Sequence, residues 1–264
     1  MNAREEKSLV KWFGEYVRQF AGKNGKLPTM LKIKLDHSRR VAGYTAAIGQ
    51  DLGFSEGDVR AARILGLFHD IGRFSQFTEH QTFRDNLSFN HGHRGANIME
   101  KCPALAACSA GDRRRIIAGI YHHNSANLPD RLDPDAMQFV KLARDADKLD
   151  IFFILHSSWK NGDLLKSPDI VLRIKLEGPV NPRTLDEIRN KQPVSLANVK
   201  SLADIFLLQL SWTYDLNFRP SYRRLIARKV IDNIAAALPA TAEIKEQIAA
   251  AKKYAQEQLV KTKK

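Results

Sequence analysis

Leu65-Gly66-Leu67-Phe68-His69-Asp70-Ile71-Gly72-Arg73-Phe74 sets an adjacent imidazole and carboxylate inside an otherwise apolar run. Ahead of it, Ser55-Glu56-Gly57-Asp58 reads as a helix start with acids in the first turn, where the helix dipole favours them. The run is then the second half of a helix from about Glu56 to Ile71, closing near Gly72. An unpaired carboxylate in such surroundings is costly to bury, so Asp70 calls for a hydrogen-bonding partner or a cation. A divalent metal would supply one. The plainer alternative is a His-Asp pair that merely ends a helix before a glycine, and the other histidines decide between the two.

Toward the N-terminus, Leu9, Trp12 or Phe13, Val17 and Phe20 recur at helical spacing over Glu5 to Phe20, and Gly22 to Pro28 breaks the pattern. Thr29 can cap a second helix running to about Asp51, with Leu52-Gly53 as its end. His37, Val41, Tyr44 and Ile48 fall at i, i+4, i+7 and i+11 of that helix, so His37 lies on a core-type stripe. A histidine so placed is ordinarily a satisfied core residue unless something else in the chain needs a ligand.

Toward the C-terminus, Phe74 to Phe89 is polar and aromatic without clear periodicity, which predicts a loop crossing the mouth of a pocket. Arg73, Gln76, Thr82 and Arg84 could face a ligand there. His91-Gly92-His93-Arg94-Gly95-Ala96 opens a short helix ending before Pro103, and Asp112 to Tyr121 forms another that delivers His122-His123-Asn124. Asp133-Pro134 gives an N-cap with proline at the first helical position, starting a long helix to about Ser158. Along it Ala136, Val140, Ala143, Asp147, Ile151 and Ile154 share one face, so a second carboxylate is set into an apolar stripe.

Beyond Gly162 the pattern is weaker. Ser167-Pro168-Asp169 could start a helix, Ile170 to Leu176 could equally be a strand, and Gly178 to Val194 is rich in turn residues. Three helices are expected after that, Leu202 to Tyr214, Pro220 to Ala237 and Ala242 to about Leu259, with Pro239 between the last two. No set of strands alternates convincingly and no internal repeat is present. The expected fold is all-α, in one domain spanning 1–264.

Composition bounds the partners. The 264 residues carry 42 Lys and Arg against 29 Asp and Glu, a net charge of +13 with a pI near 9.8. Such a balance favours anionic partners, phosphorylated substrates and nucleic acid among them, without choosing between them. Cys102 and Cys108 match neither a disulfide framework nor a zinc ribbon and read as reduced structural thiols. Charges at Arg4, Glu5, Glu6, Lys7 and Lys11 leave no signal-peptide core, and no apolar run is long enough to cross a bilayer. A soluble, cytoplasmic protein without a membrane partner is expected.

His37, His69, Asp70 and Asp147 come from three predicted helices, and one metal ion accounts for all four. Imidazole nitrogen and carboxylate oxygen suit Mn, Fe, Co, Ni or Zn. The order His, then His-Asp, then a distal Asp resembles the HD-domain metal-dependent phosphohydrolases, a superfamily of helical bundles in which these four positions bind one metal. Asp147-Lys148-Leu149-Asp150 resembles the family's distal motif with the first aspartate as ligand, which selects Asp147 over Asp145 where spacing leaves both open. His69-Asp70-Ile71-Gly72-Arg73-Phe74, Thr82, Asp85, and His91 before Gly95 resemble a branch whose substrates are largely unassigned. The likeness covers about residues 30–155 and leaves 163–264 as additional C-terminal helices.

His91, His122 and His123 are similar to the extra ligands of family branches with two or three metals, including cyclic-dinucleotide phosphodiesterases with an HD-GYP motif. The chain departs from those in having Arg73 where they carry lysine and in lacking Gly-Tyr-Pro. It also lacks the acidic pair that follows the His-Asp motif in alarmone hydrolases, so both substrate classes fall in rank. The resemblance implies one metal and allows a second, bridged by Asp70 and held by His91 and His122, with His123 as third ligand or outer neighbour. Both histidines can reach one ion only if the helix has already ended at Tyr121, because successive helical residues point about 100° apart.

A metal-bound hydroxide would then attack phosphorus, since bound water reaches a pKa of roughly 7 in favourable zinc sites. Asp70 would bridge or orient it, and Arg73 and Lys148 are the candidate phosphate contacts. The expected function is hydrolysis of a phosphate ester, mono- or diester, of a small anionic substrate such as a nucleotide. The alternative is a catalytically silent HD protein binding a nucleotide or nucleic acid through Arg113 to Arg115, Arg223-Arg224, Lys252-Lys253 and the lysine-ended tail. Those groups lack the interleaved aromatics of single-strand binding surfaces.

Overall fold

The computed structural model describes residues 1–164 and 174–260. The described residues are predominantly helical, and the one β-type contact among them is an isolated bridge between Lys175 and Ser201. They divide into two compact units, Met1–Asp150 and Ile151–Lys264.

The first unit is built from α1 (Ala3–Arg18), α2 (Thr29–Asp51), α3 (Glu56–Phe68), α4 (Gly72–His80), α5 (His91–Glu100), the short α6 (Pro103–Ala106), α7 (Ala110–His122) and the first part of α8 (Pro134–Lys160). Several of its helices start where side-chain acceptors meet orphan N–H groups. Asn2 forms a capping box with Glu5, Ser55 accepts from the Asp58 amide, and Ser109 accepts from the Asp112 amide. At α2, Pro28 rather than Thr29 holds the cap position, with no side-chain cap, and Thr29 is already helical. Proline at that point restricts φ, here −50°, while its ψ of 145° is extended, so the helix begins at the next residue.

Glycines permit the close helix contacts, Gly66 and Gly92 among them. A Cβ at Gly66 of α3 would lie 2.8 Å from both Ala42 Cα and Val41 O of α2. One at Gly92 of α5 would lie 2.9 Å from Ile120 O and Tyr121 O of α7. The histidines beside these contacts are thereby set by backbone approach. Phe68 is fully buried, with Phe13 edge-on at 5.0 Å and Trp12 stacked at 6.0 Å, so α1 closes over α3.

The predicted loop from Phe74 to Phe89 is in its first part helix α4. Phe74 and Phe77 are buried, and Phe74 meets Phe13, Tyr16 and Phe20 of the α1 segment at 5.8 to 6.5 Å. Packing on α1 stabilises a turn whose own periodicity is too short to show. Gln81, in the left-handed region at φ 52°, ends α4, and an irregular segment with a single 3-10 turn at Asp85–Leu87 leads to α5.

The second unit holds the rest of α8 with α9 (Pro182–Arg189), α10 (Leu202–Ser211), α11 (Arg219–Ala227), α12 (Val230–Ala237) and α13 (Ala242–Val260). α10 is buried almost all round, and Asp204 in its first turn is satisfied by the Asn181, Lys200 and Ser201 amides and by the Thr184 hydroxyl. The turn-rich expectation for Gly178 to Val194 gives way to α9, capped by Asn181 with proline in its first turn. The expected helix Pro220 to Ala237 is two helices, because Lys229 takes the left-handed conformation at φ 53° between them. The first expected helix of the three ends at Ser211 and continues as a 3-10 turn through Asp215. The helix or strand expectations around Ser167 and Ile170 fall outside the described residues.

Candidate metal centre

Six side chains from separate parts of the first unit converge. His37 comes from the middle of α2, His69 and Asp70 from the turn after α3, and His91 from the first turn of α5. His123 follows α7, and Asp147 lies within α8. The imidazoles and Asp70 are buried, and Asp147 keeps one fifth of its side chain exposed, so the cluster opens on that side.

The Asp70 carboxylate lies between two groups of nitrogens. Its Oδ2 is 3.5 Å from His37 Nε2 and 3.7 Å from His69 Nε2. Asp147 Oδ1 completes that side, 3.0 Å from His37 Nε2 and 3.5 Å from His69 Nε2. Asp70 Oδ1 faces the other way, 3.2 Å from His91 Nε2 and 3.7 Å from His123 Nε2. Three overlapping triads here have the proximity needed to hold a metal ion: His37, His69 and Asp70; His69, His123 and Asp147; and Asp70, His91 and His123.

The outer partners of the imidazoles tell which nitrogen carries the proton. His69 Nδ1 donates to Gly66 O at 2.8 Å, and His123 Nδ1 to Ile120 O at 2.7 Å, each using a carbonyl left free at a helix end. His37 Nδ1 donates to Asp150 Oδ2 at 2.6 Å, and His91 Nδ1 to Asp85 Oδ2 at 2.7 Å. Every acceptor is an oxygen without a proton, so each neutral ring must carry its hydrogen on Nδ1 and present an Nε2 lone pair inward. Lone pairs of His37 and His69 then face each other at 3.1 Å, and those of His91 and His123 at 3.0 Å. Such pairs repel unless positive charge lies between them. Divalent transition ions supply it, and the donor set of imidazole and carboxylate fits them.

The electrostatics likewise call for positive charge among these groups. Burial opposes charge on His37, yet the Asp147 and Asp150 carboxylates hold its pKa above the ordinary histidine value. Burial likewise works to raise Asp70 and Asp147, but Lys34 and His69 hold Asp70, and His37 and His69 hold Asp147, well below the carboxylate range. For His91, burial and the Arg73 charge outweigh the Asp70 and Asp85 carboxylates and lower its pKa, leaving it a neutral donor.

Not every candidate is brought into the cluster. α7 runs one residue past the expected end at Tyr121, so His122 and His123 leave the chain in different directions. His123 turns toward Asp70, while the His122 ring packs on Tyr121 at 4.7 Å, and Tyr121 in turn stacks on His93 at 4.0 Å. The pairing of His91 with His122 thus becomes a pairing of His91 with His123. Arg73 NH1 is committed to Gln76 Oε1, Phe83 O and Asp85 Oδ1 at 2.6 to 2.8 Å, while its Nε stands 3.5 Å from Asp70 Oδ1. Arg73 therefore braces Asp70 and Asp85. Lys148 is nearly buried in α8.

Three contributors lie outside the expected ligand set. Asp150 orients His37 and is itself held by Arg40 through two hydrogen bonds at 2.7 and 3.0 Å. It lies three residues beyond Asp147, on the same helical face, which was a readable signal. Asp85 orients His91 and also accepts from Arg73, Gln76 and Asn124. Its position in an irregular segment carries no periodic signal. Lys34, one turn before His37, places Nζ 2.7 Å from Asp70 Oδ2.

Residues 35–152 match the family model of the HD domain. A curated relative is Ribonuclease Y of Wolinella succinogenes, 30% identical over a 105-residue alignment covering 31% of this chain and 20% of that protein. The chain thus spans about one fifth of the relative's length. No solved structure matches. Among the described residues, no helix is long and apolar enough to cross a membrane.

Proposed function

We propose that this chain is a divalent-metal-dependent phosphohydrolase acting on a phosphate ester of nucleotide type. His37, His69, Asp70 and Asp147 would hold one ion, and Asp70, His91 and His123 a second. The observation that supports this most strongly is the set of four imidazoles whose Nδ1 protons are spent outward and whose Nε2 atoms surround one carboxylate. When bound, such ions lower the pKa of water and polarise a phosphoryl oxygen.

The protein's own residues do the positioning. Asp150 and Asp85 orient His37 and His91, and two helix-end carbonyls orient His69 and His123, so each ligand meets the ion without a search for its rotamer. Asp70 offers one oxygen to each side. The Asp147 edge is the route by which substrate and water reach the cluster, because the other ligands are enclosed.

A phosphodiester of RNA is a second substrate reading, supported by the partial match to a ribonuclease and by the net charge of +13. Several of the basic groups are engaged locally: Arg113 with Ala106 O and Cys108 O, Arg115 with Asp58 and Asp112, and Lys252 with Asp232. The test is metal analysis of purified protein followed by hydrolysis of nucleoside monophosphates, a simple diester and short RNA with added manganese. Turnover that is lost in His69→Ala and Asp70→Ala, by about a hundredfold or more as befits the removal of a metal ligand, supports the enzyme. Protein that neither carries nor responds to metal overturns it and leaves the silent binder.

A further inference from the structure

Lys34 precedes His37 by three residues on α2, so both side chains leave the same face of the helix. Its Nζ lies 2.7 Å from Asp70 Oδ2, the oxygen turned toward His37 and His69. The Phe83 ring supports the ammonium, with Nζ 5.4 Å from the ring centroid and Arg73 Cζ 5.7 Å from the same centroid. The two cations differ in what they have left to give. Arg73 is 14% exposed and its NH1 serves three acceptors, whereas the Lys34 side chain is 19% exposed and, among the described residues, its ammonium hydrogen-bonds Asp70 alone. An ammonium has three N–H donors, so two remain.

We infer that Lys34 is the cation that meets the substrate's phosphoryl group at this site, sharing Asp70 with the ion and moving between the two; the inference rests on the phosphohydrolase reading above. An ammonium and a divalent ion cannot both draw on Asp70 Oδ2 at full strength, because they repel each other across a few ångströms of enclosed space. Ion binding therefore loosens Lys34 from the carboxylate. Its stem is flexible and reaches the solvent-facing edge, and a phosphoryl oxygen is the anion that a working site brings there. Removing the charge then has opposite effects on two equilibria: the ion binds as well or better, and phosphate binds worse. A lysine that served only to hold the fold together would weaken both or neither.

The test uses the full chain as wild type, Lys34→Met and Lys34→Arg, with melting curves as the check on folding. Manganese binding is read from the paramagnetic resonance signal of the free ion, and binding of inorganic phosphate to the manganese-loaded protein is read by calorimetry. Lys34→Met is expected to bind manganese at least as tightly as wild type and phosphate about tenfold or more weakly, the scale of one charge-assisted hydrogen bond. Lys34→Arg should recover most of the phosphate affinity. Unchanged phosphate binding in Lys34→Met, or loss of manganese together with phosphate, overturns the inference. Should Lys34→Met fail to fold, Lys34→Gln takes its place under the same outcomes. Wild-type protein that binds no manganese overturns the phosphohydrolase reading itself, whereas wild type that binds both ligands beside an unaltered variant overturns the role of Lys34 alone.

Discussion

At the scale of single residues, Gly66 serves the site in two ways. It lies three residues before His69, and its carbonyl takes the His69 Nδ1 proton, while the absent side chain lets α2 approach. A Cβ there would stand 2.5 Å from Thr45 Oγ1 and 2.8 Å from the Val41 and Ala42 backbone. Alanine in a helix is favoured over glycine by about 1 kcal/mol, but backbone contacts this short cannot be relieved by a rotamer change. Gly66→Ala is therefore expected to be destabilising by about 1–3 kcal/mol or more, the cost of overpacking. Because α2 carries His37 and α3 leads to His69, the variant should also bind manganese more weakly. Denaturant unfolding and metal titration of the same preparation check both; an unchanged or raised midpoint would show that the helices can part without cost.

At the scale of elements, α3 is held at its start by Ser55, whose hydroxyl accepts from the Asp58 amide, and by Asp58, paired with Arg115 of α7. Ser55→Ala should cost about 1 kcal/mol, the usual value of a lost N-cap, read as a lower midpoint in urea. For Asp58, burial acts to raise the pKa, but hydrogen bonds from Ser55 and Arg115 and the Arg115 charge outweigh it and hold the pKa below the ordinary value. A lowered folded-state pKa means stability that is present above the unfolded pKa, about 3.9, and is lost as pH falls through the folded value. The gap in melting temperature between wild type and Asp58→Asn should hence be steady near neutrality and close below about pH 4. The contribution is small, under about 1 kcal/mol for so exposed a pair. A gap that widens on acidification would contradict the assignment.

At the scale of the molecule, one helix, α8, runs through the division between the two compact units. A single domain over 1–264, as the sequence leads one to expect, predicts one cooperative calorimetric transition, because a break within a continuous helix costs hydrogen bonds on both sides. Manganese in excess should raise that transition. Ligand at a hundred times its dissociation constant adds about 2.7 kcal/mol, which for a chain of this size corresponds to roughly 5–10 °C, and a chelator should reverse it. Two transitions, with manganese raising one alone, would show that the second unit folds independently of the metal centre.

The sequence alone determined the helical class, because apolar residues recur at helical intervals in most segments and no set of strands alternates convincingly. It also marked three of the candidate ligands, since His37 is a polar group on an apolar stripe and His69-Asp70 interrupts an apolar run, so the cost of burying them is legible in the residue order itself. For the fourth, spacing left Asp145 and Asp147 open and the resemblance to the family's distal motif selected Asp147. Only the tertiary structure decided which member of His122-His123 turns inward, since that hangs on one extra helical residue in α7, and a boundary shift of that size leaves no mark on periodicity. Only it showed α4, which forms because Phe74 has the rings of α1 to pack on. Of the partners that orient the cluster, Asp150 was readable on the face of Asp147, but the role of Asp85 was hidden for the same reason as α4. An irregular segment is placed by what closes over it, and nothing in its own residue order records that neighbour.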